Sequence, residues 1–157
     1  MFGYVSIADL SDDVRANLHR IPPDIDLVVG IPRSGMIPAY MIGLYTNRVV
    51  VDVNGFLDNR TPGKGCTRAA GVNITEPQAA KHILLVDDSI ASGQSLQNVL
   101  RTVSGSGFRG RITTCAVIAY PSKTCDVDLH FRTLPHPRIF EWNAFHHTHV
   151  EKSCFDL

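Results

Sequence analysis

The chain has no surplus of either charge: fifteen Lys and Arg stand against fifteen Asp and Glu. That balance removes the electrostatic footprint by which nucleic acid or an anionic membrane surface is bound, so neither is expected as a partner. No apolar run approaches the ~20 residues that cross a bilayer. Met1-Phe2-Gly3-Tyr4 lacks the basic-then-apolar order of a secretory signal. The four cysteines, Cys66, Cys115, Cys125 and Cys154, show no CxxC spacing, which excludes a zinc ribbon or redox pair and leaves reduced thiols and a cytoplasmic location as the expectation. His146, His147 and His149 have no Cys or acid at zinc-site spacing beside them, and read as a polar strand end. There is no internal repeat and no low-complexity linker. What is present, 157 residues that are 44% hydrophobic, suits one domain with its own core.

Periodicity along the chain alternates. Ile7 to Leu18 reads as an amphipathic helix, with Ser6 or Asp9 near its start. Asp26 to Ile31 is a short apolar strand, Gly35 to Tyr45 a helix with Pro38 confined to its first turn, and Arg48 to Val53 a β-branched strand. Asn54 to Pro77 is polar, glycine- and proline-containing and weakly periodic. Lys81 to Asp87 is an apolar strand, Gln94 to Ser104 a helix, and Ile112 to Tyr120 and Val127 to Phe131 are strands. Strands alternating with helices predict a parallel α/β sheet with right-handed crossovers.

The most informative stretch is Val86-Asp87-Asp88-Ser89-Ile90-Ala91-Ser92-Gly93-Gln94-Ser95. A buried strand runs into two acids, and a small-residue turn then opens a helix. Free backbone N–H groups and the helix dipole favour an anion at such a turn. Open α/β sheets bind ligands at the C-terminal ends of their strands. A phosphate cradle beside two carboxylates fits a sugar phosphate. The second stretch is Gly30-Ile31-Pro32-Arg33-Ser34-Gly35, again strand, tight turn and helix start. Its glycines permit close backbone approach, and Arg33 offers a fixed cation for phosphate.

The first stretch resembles the phosphoribosyl pyrophosphate (PRPP) motif of type I phosphoribosyltransferases, with Ser92 where Thr is commoner. The second resembles that family's pyrophosphate loop, with Ser34 in place of the first Gly of a Gly-Gly pair. The resemblance implies an α/β, parallel-sheet, Rossmann-like fold with a small hood over residues 1–150. It implies that Asp87 and Asp88 face the ribose hydroxyls and a Mg²⁺ ion. It further implies that Ala91, Ser92, Gly93, Gln94 and Ser95 wrap the 5′-phosphate, and that Arg33, Ser34 and Gly35 receive the pyrophosphate. The polar segment with Arg60, Lys64 and Arg68 corresponds to the family's flexible loop over the active site, with Lys64 as a catalytic candidate beside Asp87, Asp88 and Arg33. The expected reaction is transfer of the phosphoribosyl group of PRPP to a nitrogenous, base-like acceptor, with release of pyrophosphate, in a homodimer. A PRPP-sensing regulatory module, or a partner-dependent half of a bifunctional protein, is the alternative.

Two features bear on the acceptor. The 6-oxopurine branch usually has Asp two residues before the motif glycine; here it is Ala91, which puts hypoxanthine or guanine in doubt. Glu76 is a substitute carboxylate, though as a residue before Pro77 it reads first as a surface acid. The aromatic segment Pro135 to His147 holds the only tryptophan, and a planar acceptor would stack on Trp142 or Phe140. The terminal Phe155-Asp156-Leu157 resembles the entry to the Asp-x-Asp motif of haloacid-dehalogenase-like hydrolases. That resemblance makes residues 151–157 the expected start of a second domain.

Overall fold

The computed structural model describes residues 3–63 and 74–146. Lys64, Gly65, Cys66 and Arg68, His147 and His149, and the expected second-domain start at 151–157 lie outside the described residues.

The chain opens with β1 (Gly3–Val5) and α1 (Ile7–Asn17). Ser6 caps α1: its hydroxyl accepts from the Asp9 N–H at 3.0 Å, and the Asp9 carboxylate returns the bond to the Ser6 N–H at 2.8 Å. Two of the helix's otherwise unpaired donors are thereby satisfied. There follow β2 (Leu27–Gly30), α2 (Met36–Thr46), β3 (Val49–Asp52) and a short α3 (Val53–Leu57). Then come β4 (His82–Ile90), α4 (Gln94–Gly105), β5 (Arg111–Ala119), β6 (Leu129–Thr133) and β7 (Arg138–Phe140).

β3, β2, β4, β5 and β6 form, in that order, one parallel sheet. Its central strands are apolar on both faces because both faces are covered. On β4, Ile83 and Leu85 pack with Phe56, Leu96 and Val103, while Leu84 and Val86 pack with Leu10, Val14, Ala39 and Ile42. One core therefore lies under α3 and α4, the other under α1 and α2. Among the described residues no helix is long and apolar enough to cross a membrane.

Three departures from the sequence reading affect the site. The strand expected to end at Asp87 continues to Ile90, because Ser89 and Ile90 go on pairing with Ile118 and Ala119 of β5 and Ile90 is buried. The polar segment begins with a helix, α3, because Asp52 caps it through the Gly55 N–H and Phe56 is fully buried. The aromatic segment supplies a strand: β7 pairs in parallel with β1, joining the two ends of the described chain in a second, two-stranded sheet.

Candidate functional site

β2 ends level with Val86, since Gly30 is the register partner of that residue. β4 runs four residues further, so Asp87 and Asp88 stand beyond the end of β2 while β5 still flanks them. The turn after β2 fills the space left beside the acids. Ile31 N–H donates to the Val86 carbonyl at 2.9 Å. Gly35 then lies directly against β4: a Cβ there would sit 2.5 Å from the Ile31 carbonyl oxygen and 3.0 Å from Asp87 Cα. Here glycine is required by close approach of two backbones, as the sequence pattern suggested.

Both acids are buried, Asp87 at 8% and Asp88 at 4% exposure. They stand near the end of β4 and are nevertheless shielded from solvent. The continuation of β4 to Ile90 and the turn Ile31–Gly35 together cover them. Burial, with the neighbouring charge of Asp88, pushes the Asp87 carboxyl up to about 8. Its Oδ1 accepts from the Asp88 N–H at 2.9 Å. Asp88 is bonded at both oxygens: Ser34 Oγ donates to Oδ1 at 2.9 Å and Trp142 Nε1 to Oδ2 at 2.8 Å. Among the described residues no ion pair joins either acid to a Lys or Arg.

Directly after β4 the chain turns through Ala91, Ser92 and Gly93 into α4. Gly93 has φ 77°, a left-handed conformation that glycine adopts without penalty, and no side chain caps the helix. The Gln94 N–H makes a long bond of 3.3 Å to Ser92 Oγ, and the N–H groups that follow it in the first turn have no side-chain cap, which leaves them for a ligand or water. Ala91, Ser92, Gln94 and Ser95 are exposed at this edge, and Gly93 is buried.

The aromatic segment closes the other side. The Trp142 ring stacks on Phe140 at 4.9 Å with the planes 2° apart. Phe140 is buried, and the Arg138 guanidinium lies over its ring at 5.3 Å. Arg138 is itself buried and donates to the Ile90 and Leu134 carbonyls at 2.9 and 3.0 Å. Burial draws its pKa down, and the negative charge of Asp88 opposes that. Asn143, which follows Trp142, accepts from Arg33 Nη2 at 2.9 Å. Trp142 and Phe140 therefore differ: the indole is half-exposed at the acids, whereas Phe140 lies behind it.

Of the residues singled out from sequence, Arg33, Ser34, Gly35, Asp87, Asp88 and Trp142 meet in one network, and Ala91 to Ser95 follow on the same sheet edge. Lys64 lies outside the described residues. Arg60 is exposed and pairs with Asp58 at 3.1 Å, and Glu76 is an exposed acid. Sequence reasoning missed Arg138 and Asn143. Arg138 carried a faint signal, a lone cation between apolar residues of a β-rich stretch; Asn143 carried none.

A metal can be weighed against this donor set. Among the described residues no group of three or more His, Cys, Asp or Glu side chains is arranged to hold one. Two buried carboxyls that form no ion pair among the described residues nevertheless fit a hard cation that takes its remaining ligands from water and a bound polyanion.

A family model, the phosphoribosyl transferase domain, matches residues 4–149. A purine phosphoribosyltransferase from Pyrococcus horikoshii has a similar structure, with a TM-score of 0.64 at 19% identity over 89% of this chain and 92% of that one. The xanthine-guanine-hypoxanthine phosphoribosyltransferase of Helicobacter pylori gives 0.67 at 18% identity over 91% and 92%. The adenine phosphoribosyltransferase of Leishmania tarentolae gives 0.52 at 14% identity over 80% and 71%. At these identities the likeness is one of fold. A comparison with curated proteins finds no match.

Proposed function

The chain belongs to the phosphoribosyl transferase domain family, and from that premise we propose that it transfers the phosphoribosyl group of PRPP to a nitrogenous, base-like acceptor, releasing pyrophosphate. One observation carries the reading: Ser34 and Trp142 both bond Asp88, at 2.9 and 2.8 Å. The pyrophosphate-loop pattern, the PRPP pattern and the aromatic segment are thus held at one point on the sheet edge.

Each residue's part follows from its surroundings. The turn Ala91 to Ser95, leading into a twelve-residue helix without a side-chain cap, suits the 5′-phosphate. Asp87 and Asp88 accept from the ribose hydroxyls. Arg33, exposed at the rim, binds the pyrophosphate and holds its charge as the bond to C1 breaks. Gly35 keeps this loop against Asp87. Trp142 offers its ring to a planar acceptor, Phe140 supports that ring from behind, and stacking sets the acceptor nitrogen toward C1. Asp87 and Asp88 are the residues that would hold Mg²⁺, which when bound neutralises charge on pyrophosphate oxygens. Lys64 is kept as a proposed catalytic cation, as the family resemblance implies. A homodimer in the cytoplasm remains part of the proposal.

Ala91 lacks the carboxylate that would meet a 6-oxopurine, and exposed Glu76 stands outside the network. Both features support an acceptor base that needs no such partner. The test is a screen of purine and pyrimidine bases for pyrophosphate release with PRPP and Mg²⁺. Release that depends on one base supports the reading; no release above the PRPP-only rate with any base contradicts it.

A further inference from the structure

The turn Glu141–His146 makes two contacts whose chemistry repeats that of the proposed ligand. Trp142 gives an N–H donor to the Asp88 carboxylate, as a ribose hydroxyl would. Asn143 gives a carbonyl oxygen to the Arg33 guanidinium, as a pyrophosphate oxygen would. The two bonds, 2.8 and 2.9 Å long, come from adjacent residues and fall on the two groups that the sugar and the leaving group need.

The turn is anchored at one end only within the described chain. Glu141 Oε2 accepts from the Ile7 N–H at 2.6 Å, and the strand before it pairs with β1. Past that anchor Trp142, Asn143 and Ala144 are half-exposed and Phe145 is 81% exposed. Little burial holds the turn down apart from the Phe140 stack and these two bonds. Hydrogen bonds to charged groups are the stronger kind, and a ligand can break them only by supplying the same bonds itself.

We propose that this turn is a built-in competitor of PRPP: Trp142 and Asn143 occupy Asp88 and Arg33 in the free protein, and sugar-phosphate binding displaces both. Displacement frees the indole for the acceptor. The free protein pays for closure in affinity, since the competent state is only a fraction of the population. The inference rests on the proposed PRPP site, and its test separates the two.

Trp142 is the only tryptophan, so its fluorescence reports this contact without a mutation. PRPP with Mg²⁺ is titrated into the protein and followed by calorimetry and by emission. The expected result is an emission change with the calorimetric midpoint. Asn143→Ala, at a half-exposed position, should bind inorganic pyrophosphate roughly tenfold tighter, equivalent to about 1.4 kcal/mol. Trp142→Phe keeps the ring stack but removes the donor, and should tighten PRPP in the same sense. Calorimetric saturation with unchanged emission overturns the competitor, as does unchanged or weaker affinity in either variant. Absence of any PRPP heat in the wild type overturns the proposed function and the competitor with it.

Discussion

Asp87→Asn should stabilise the protein while removing its ligand binding, and the gain should grow with pH. The folded carboxyl is pushed up to about 8 by burial and by the Asp88 charge, against an ordinary value of 3.8. The folded chain therefore holds a proton that the unfolded chain has lost once pH exceeds about 4. A raised folded pKa contributes stability that is fully present below the unfolded value and lost as pH rises through the folded one. Wild-type stability should fall across this window with a slope of up to about 1.4 kcal/mol per pH unit for one proton. We expect roughly 2–3 kcal/mol of that loss to be realised between pH 5 and pH 8. Asparagine has the same shape, carries no charge, and keeps the oxygen that accepts from the Asp88 N–H at 2.9 Å. The variant should match the wild type near pH 4 and exceed it by about 2–3 kcal/mol at pH 8, or roughly 5–10 °C in Tm for a chain of this size. Urea denaturation without Mg²⁺ at pH 5, 6.5 and 8, followed by circular dichroism, measures the gap. A gap that stays constant with pH, or a wild type that is the more stable at pH 8, would refute the reasoning. A functional site that costs stability is the expected trade.

Three further outcomes follow from the same geometry. Trp142→Ala should raise the acceptor's KM roughly fivefold, from loss of about 1 kcal/mol of stacking, without weakening PRPP; equal damage to both ligands in steady-state kinetics would mean that the ring only packs the fold. Gly35→Ala puts a methyl group against Ile31, Val86 and Asp87 backbone, and should cost about 1–3 kcal/mol in denaturant unfolding together with most pyrophosphate affinity by calorimetry. Sulfate soaked into crystals should settle on the amides of Ala91 to Ser95, and a filled anion site elsewhere with this turn empty would count against the phosphate assignment.

Much of this site was legible because its parts are local. Strand, turn and helix start can each be read from period and small residues, so Gly30–Gly35 and Val86–Ser95 were found with their order along the sheet. Ser6 and Asp9 were likewise read as lying near a helix start, and the structure joins them in a capping box. What escaped was set by tertiary pairing. Asp87, Asp88 and Ser89 interrupt the apolar run, so β4 seemed to stop; only the neighbouring β5 shows why Ile90 still belongs to it. The acids' burial follows from that continuation and from a turn fifty residues upstream. α3 was hidden in a polar segment because Phe56 and Asp52 act through a partner surface and a cap rather than through periodicity. β1 and β7 are three residues each, too short to show a period, and lie at opposite ends of the described chain. The Trp142 reading rested on composition, and its indole does reach Asp88; the neighbouring Asn143, which accepts from Arg33, had no signature at all.

The most direct test of the central claim is a crystal structure with PRPP and Mg²⁺. The account predicts the 5′-phosphate on the amides of Ala91 to Ser95, the ribose hydroxyls at Asp87 and Asp88, and the pyrophosphate on Arg33. PRPP bound away from the C-terminal edge of β4, or a sugar phosphate reversed so that its 5′-phosphate meets Arg33, would contradict it.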